Sequence, residues 1–162
     1  MDVEKHFRDY LLRTETTLTG KLKNIALALV LLIAWIALFD AYGRCYFMNV
    51  TMNDTWQFMS PWELFFRCCI IAPLWEELAY RYAPLTIAKR LGEKKFIVPA
   101  ILLSSIIFGY GHGSVGNIFL QGIGGLMCCI VYVKNGYSLW SSLLLHFLWN
   151  CFFQLAMPAL NL

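Results

Sequence analysis

Five apolar segments, each close to the length of a membrane-spanning helix, dominate this sequence of 162 residues. A helix needs about 20 residues to cross the hydrocarbon core of a bilayer. Hydrophobic residues make up 59% of the chain and charged residues only 14%, whereas soluble domains carry about 25% charged residues. We therefore predict an all-α, polytopic transmembrane helix bundle of about five spans. The spans cover residues 22–42, 61–82, 96–110, 115–133 and 138–157.

The distribution of basic residues predicts the orientation of these spans. Lysines and arginines are frequent before the first span and between the second and third, and they are rare between the first and second. Because positively charged loops stay on the cytoplasmic side, we predict a multi-pass integral membrane protein with a cytoplasmic N-terminus and an outer C-terminus. Residues 1–21 carry charges of both signs and lack a signal cleavage site. We expect them to form a cytosolic amphipathic or flexible leader before a transmembrane domain over residues 22–162.

Three charged residues lie inside the second apolar segment, within the sequence Glu-Glu-Leu-Ala-Tyr-Arg of residues 76–81. Each charge costs about 2.5–3.5 kcal/mol at the middle of a membrane helix. Glu77 and Arg81 are four residues apart and can form an ion pair. Glu76 points about 100° away, so its own helix offers it no ionic partner. A charge cluster that reaches the cytosolic interface is the structural alternative, but an unpaired carboxylate at this depth favours a functional role.

Two further polar sites lie in later apolar segments. His146 and Asn150 are four residues apart on one helical face of the fifth segment, and lipid satisfies neither side chain. His112 ends the third segment one turn after Phe108, among several glycines. Polar groups in membrane helices usually face the bundle interior, so we expect these residues to face inward. The alternative for His146 is a buried packing residue, and the alternative for His112 is a residue of a glycine-rich loop.

The three patterns Glu-Glu-x-x-x-Arg, Phe-x-x-x-His and His-x-x-x-Asn, in this order, resemble the CPBP (Abi) family. This family includes the type II CAAX prenyl endopeptidases and bacterial proteins linked to bacteriocin processing and self-immunity. Each motif alone is weak, but the ordered set is specific, and the resemblance covers a core of about residues 61–157. Every motif position is present: Glu76, Glu77, Arg81, Phe108, His112, His146 and Asn150.

The resemblance implies an intramembrane glutamic or metallo endopeptidase, which hydrolyses peptide bonds with a glutamate-activated water in an interior polar cavity. By this analogy Glu76 is the general base and is helped by His112, while His146 and Asn150 stabilise the oxyanion. The expected partners are a peptide or protein substrate at or in the membrane and the lipid bilayer, without nucleic acid. The expected location is the bacterial inner membrane. Supporting roles fall to Glu77, Arg81 and Phe108.

Metal dependence is left open by the same resemblance. The sequence has neither the His-Glu-x-x-His pattern of zinc proteases nor a Cys-x-x-Cys among its six cysteines. The resemblance also favours a glutamate-activated water, and we therefore expect no obligatory cofactor. If zinc is bound, we expect Glu76, His112 and His146 to be its ligands.

One count conflicts with a shared site for the three motifs. Glu76 and His146 lie about six and eight residues from the cytosolic ends of their predicted spans, and His112 about seventeen, which places it roughly 13–16 Å deeper. A helix break at Pro84 or Pro99, or a steep tilt of the third helix, would remove the conflict.

Two functions from other classes compete with a protease. The first is a non-catalytic immunity or scaffold protein that keeps the fold and uses the cavity for binding. The second is a small proton-coupled transporter, in which Glu76, His112 and His146 form a relay.

Overall fold

The computed structural model of the chain describes residues 3–39 and 59–159 and contains only helices in these ranges, so the predicted all-α class is confirmed. Two of the helical segments are π-helical, with wider turns than an α-helix. We call them the first and second π segments. In chain order the elements are α1 (Val3–Leu12), α2 (Leu18–Leu38), α3 (Pro61–Phe65), the first π segment (Phe66–Ile71), α4 (Ala72–Glu77), the second π segment (Leu78–Tyr82), α5 (Ala83–Tyr110), α6 (Gly116–Lys134) and α7 (Leu139–Ala159).

Three helices correspond directly to predicted spans. Helices α6 and α7 match the predicted fourth and fifth spans within two residues at each end. Helix α2 begins four residues before the predicted first span, because the hydroxyl of Thr17 caps its N-terminus by accepting the Gly20 N–H at 3.1 Å. Residue 42, the predicted end of that span, lies outside the described residues.

Two helices among the described residues, α2 and α6, are long and apolar enough to cross a membrane by length and composition. The segment that carries the acidic motif is divided into short α and π pieces. The arrangement in five spans therefore stays a prediction. The surface is consistent with a lipid environment, because large apolar side chains are exposed on α2 and α5. They include Leu27, Val30, Leu103 and Ile107.

The predicted boundary between the second and third spans is wrong. The helical path that starts at α3 continues to residue 91 rather than ending at residue 82, and the chain then reverses at Gly92. Gly92 has φ 141° and ψ 85°, a conformation that only glycine adopts readily. The two arms of α5, residues 83–91 and 93–110, meet at this glycine. Neither of the suspected prolines breaks the chain, because Pro84 lies in the first turn of α5 and Pro99 lies inside its second arm.

The reversal at Gly92 removes the conflict in depth. Glu76 and Phe108 lie sixteen residues on either side of Gly92, so the reversal brings them to a similar level. The ring of Tyr80 in the second π segment lies 5.3 Å from the ring of Phe108, so the helical path before Gly92 runs beside the second arm of α5. The error arose because the helix that carries Glu76 extends nine residues further from the motif than its apolar pattern indicated.

Helix α6 packs closely against the second arm of α5 at a pair of glycines. A methyl group on Gly109 would lie 2.6 Å from the Cα of Ile118 and 2.9 Å from the Cα of Gly122. Small residues at such crossings let two helix backbones approach, a common device in membrane helix packing. This close contact brings the motif of α5 to the face of α6.

The leader helix α1 lies at the end of the bundle that holds Gly92 and the turn between α6 and α7. Leu11 of α1 is fully buried there. The ammonium group of Lys134 donates hydrogen bonds of 2.7 Å to the carbonyls of Tyr10 and Arg13, at the C-terminal end of α1. Lys89 lies over the ring of Tyr137 at the same end. The basic residues of the leader and of both turns are thus gathered at one end of the molecule.

Candidate active site

The polar residues of the three motifs meet around one cavity between the helices. The cavity has a volume of about 110 Å³, which is enough for several water molecules. Glu77 lies behind its wall and is fully buried. The structure therefore brings all seven predicted site residues together. The motif residues that line the cavity are Glu76, Arg81, Phe108, His112, His146 and Asn150.

A buried ion pair supports one wall of this cavity. The Nε of Arg81 lies 3.3 Å from Oε1 of Glu77, and both side chains are fully buried. This is the pair predicted from the spacing of the two residues. The guanidinium carbon of Arg81 also lies 4.2 Å from the ring centroid of Phe108, a cation–π contact. Gly125 makes room for this arrangement, because a methyl group there would lie 2.7 Å from the Phe108 ring.

His146 lies between the two glutamates of the acidic motif. Its Nδ1 is 2.8 Å from Oε1 of Glu77, and its Nε2 is 3.4 Å from Oε2 of Glu76. Glu76 thus has a partner from α7, which its own helix does not offer. The contact with Glu77 fixes the ring, as carboxylates do for functional histidines. The contact with Glu76 is longer than an ordinary hydrogen bond.

The two glutamates differ in their access to the cavity. The side chain of Glu76 is 26% exposed, whereas that of Glu77 is 0% exposed. Oε1 of Glu77 contacts both Arg81 and His146. Glu76 is therefore the carboxylate that a water or substrate in the cavity can reach, and Glu77 holds its neighbours in place.

His112 lies just beyond the end of α5, and its Nδ1 is 2.8 Å from the carbonyl oxygen of Phe108. A carbonyl oxygen only accepts hydrogen bonds, so the proton of the neutral ring is on Nδ1 and the lone pair is on Nε2. The ring of Phe108 lies 4.7 Å from the His112 ring and 5.9 Å from the His146 ring. Phe108 thus separates the two histidines and fixes their spacing.

Asn150 is held by the first π segment. Its Nδ2 donates a hydrogen bond of 2.7 Å to the carbonyl of Cys68. Ser104 makes a similar contact from α5, since its hydroxyl donates to the carbonyl of Tyr80 in the second π segment. Single-turn π segments occur frequently at functional sites. Here side chains from neighbouring helices bond carbonyls of both segments, which ties the acidic motif to α5 and α7.

Two residues of the cavity region escaped the sequence analysis. Gln121 lines the cavity from α6, and Asn117, one turn earlier, is fully buried. Two amides four residues apart in a strongly apolar helix were the available signal, because lipid cannot satisfy them.

A group that could hold a metal ion differs from the one expected from the sequence. Among the described residues, the group whose ligand atoms all lie within 4.8 Å of one another is Glu77, Cys128 and His146. It shares only His146 with the zinc ligands expected from the sequence. The buried guanidinium of Arg81 contacts the same Glu77 carboxylate, so a metal ion bound by this group would lie beside a second cation.

Comparison with known proteins agrees with the motifs. A family model described as Type II CAAX prenyl endopeptidase Rce1-like matches residues 58–152, a stretch that contains every motif residue. No curated protein and no solved structure matches the chain significantly. The family match confirms the resemblance drawn from the three motifs.

Proposed function

Since this chain belongs to the Rce1-like family of type II CAAX prenyl endopeptidases, we propose that it is an intramembrane endopeptidase in which Glu76 activates the attacking water. One observation carries this proposal. His146 is held between the fully buried Glu77 and the partly exposed Glu76, at the wall of a cavity that has room for several water molecules. Glu76 can therefore act on a water in the cavity, whereas Glu77 positions the ring of His146.

The proposed reaction needs only groups that line the cavity. A water beside Glu76 attacks the carbonyl carbon of the scissile bond as the carboxylate takes one of its protons. The lone pair on Nε2 of His112 helps to hold this water. The resulting tetrahedral intermediate collapses as the C–N bond breaks, and the proton on Glu76 passes to the leaving nitrogen. The products are a new carboxyl group and a new amine.

The oxyanion of the intermediate requires hydrogen-bond donors that are already in place. Nε2–H of His146, in its imidazolium form with Nδ1–H on Glu77, and the amide of Asn150 are the proposed donors, because both side chains line the cavity. The 3.4 Å contact between His146 and Glu76 is long enough to be exchanged for a contact with the substrate oxygen. Donors fixed in a low-dielectric site stabilise developing charge more than donors in water do.

The proposed topology has five spans with the N-terminus in the cytoplasm. It is supported by the basic residues gathered at one end of the bundle, which is the arrangement the positive-inside rule expects for the cytoplasmic end. A peptide or protein substrate would enter the cavity from the membrane or its surface.

Cleavage by the purified protein tests the function. A panel of quenched peptides, with and without a prenyl group, is incubated with wild type, Glu76→Gln and His146→Ala in liposomes, with and without a chelator. Glu63→Gln is the matched control, because this glutamate lies on the same helical path and pairs with Arg67 at the surface.

We expect cleavage by wild type and by Glu63→Gln, a loss of at least 100-fold in the other two variants, and no effect of the chelator. Absence of cleavage by folded wild-type protein would favour a non-catalytic binding role. Loss of cleavage in the presence of the chelator would favour a metal mechanism.

A further inference from the structure

A hydrogen-bonded chain of three residues runs from the start of α6 into the cavity. The backbone N–H of Asn117 donates to Oγ of Ser114 at 3.3 Å, so the hydroxyl proton of Ser114 is directed to another acceptor. That acceptor is Oδ1 of Asn117. Nδ2 of Asn117 in turn donates to Oε1 of Gln121 at 3.0 Å. The three contacts thus form a continuous series from Ser114 to Gln121.

In this structure the contacts of Asn117 orient the Gln121 amide. The oxygen and nitrogen of a side-chain amide are assigned from their hydrogen-bond partners. The Ser114 hydroxyl contacts the oxygen of Asn117, and the nitrogen of Asn117 donates to the oxygen of Gln121. The –NH2 group of Gln121 is therefore the end turned away from Asn117. Because Gln121 lines the cavity, as Glu76 and His146 also do, this end offers a pair of N–H donors to a group bound there.

We propose that Gln121 binds a main-chain carbonyl of the substrate next to the scissile bond, and that Asn117 is the positioning residue that orients its amide. The proposal rests on the proposed peptidase function. The cavity lining also includes the uncharged residues Leu120, Gly124 and Trp149, and an uncharged donor pair matches an uncharged acceptor. Every extended peptide offers such an acceptor, so this contact selects for polypeptide backbone rather than for a particular side chain.

Three variants separate this role from a merely structural one. Gln121→Met keeps the length of the side chain and removes its donors, and Gln121→Glu keeps the acceptor but removes the –NH2 group. Asn117→Asp removes the donor that orients Gln121. Asn24→Asp is the matched control, because Nδ2 of Asn24 donates to Oδ1 of Asn135 at 2.7 Å in an amide pair at the other end of α6.

The expected result is a selective change in KM. Loss of one uncharged hydrogen bond should raise KM about 3–10-fold in the three cavity variants. In Gln121→Met, which adds no charge to the cavity of Glu76, kcat should stay within about twofold of wild type. Asn24→Asp should change neither constant. Peptides with one non-scissile carbonyl reduced to CH2 should locate the contact: wild type should lose affinity for one such peptide, and Gln121→Met should lose nothing further for it. Unchanged KM in Gln121→Met and Gln121→Glu would overturn the proposal.

Direct binding of a fluorescent peptide to the Glu76→Gln background distinguishes this proposal from the proposed function. Weaker binding after adding Gln121→Met would support the contact even if wild type cleaved nothing, and that outcome would refute only the peptidase. Equal binding with and without Gln121→Met would overturn the contact whatever the cleavage result. Absence of any peptide binding would overturn both.

Discussion

Replacing Arg81 alone should destabilise the protein strongly. Arg81→Met keeps most of the side-chain volume but leaves the carboxylate of Glu77 fully buried without its counter-ion. Breaking one partner of a buried ion pair typically costs about 3–5 kcal/mol. The hydrogen bond from His146 at 2.8 Å remains, so we expect a cost of about 3 kcal/mol, near the lower end of this range.

Replacing both partners should recover part of that loss. In the double variant Glu77→Leu with Arg81→Met, no buried charge is left unpaired, and such replacements are often neutral or stabilising. The cost that remains is the lost acceptor for Nδ1 of His146, about 1–3 kcal/mol. Activity should stay lost in the double variant, because His146 is no longer held.

The assay is the free energy of unfolding in mixed micelles, measured by titration with a denaturing detergent. Arg67→Met is the matched control, since Arg67 forms the same i,i+4 pair with Glu63 at 3.2 Å, but both side chains are exposed. An exposed pair contributes about 0–1 kcal/mol. The reasoning is refuted if Arg81→Met costs no more than Arg67→Met, or if the double variant is less stable than Arg81→Met alone.

Two further predictions concern packing and pH. Gly125→Ala should destabilise the protein by about 1–3 kcal/mol, because the new methyl group would lie 2.7 Å from Phe108. Gly124→Ala should be nearly neutral, because the nearest atom to its methyl group would lie 3.4 Å away. Equal unfolding free energies for the two variants would contradict this prediction. Burial, and then the hydrogen bond to Glu93, raise the pKa of Tyr137 above its ordinary value. Its contribution to stability is therefore complete below about pH 10, the pKa of an unfolded tyrosine, and falls as the pH rises further. Unfolding measured from pH 8 to 11 should show a steeper loss in wild type than in Tyr137→Phe, and equal slopes would refute the assignment.

The sequence predicted the elements whose signal is local. The lengths of the two apolar segments predicted the ends of α6 and α7 within two residues, because a turn with polar residues separates the two helices. The i,i+4 spacing gave the Glu77–Arg81 pair, since helix geometry alone decides which side chains share a face. The order of the three motifs gave the family.

Features that depend on distant parts of the chain were not predictable in the same way. The helix of Glu76 continues through charged residues to Gly92, so hydropathy ended it too early. The contact of Glu76 with His146 joins residues 70 positions apart, and no local pattern specifies which helices become neighbours. Gln121 is not titratable and was therefore not predicted, although an amide inside an apolar helix is also a polar group that lipid cannot satisfy.

The most direct test of the proposed mechanism is a single turnover in water enriched in oxygen-18. Direct attack of water on the substrate carbonyl predicts that the new carboxyl group of the first product contains one oxygen-18 atom. A glutamate that attacked the carbonyl itself, followed by hydrolysis at the glutamyl carbon, would give an unlabelled first product. That result would contradict the role of Glu76 as the base that activates water.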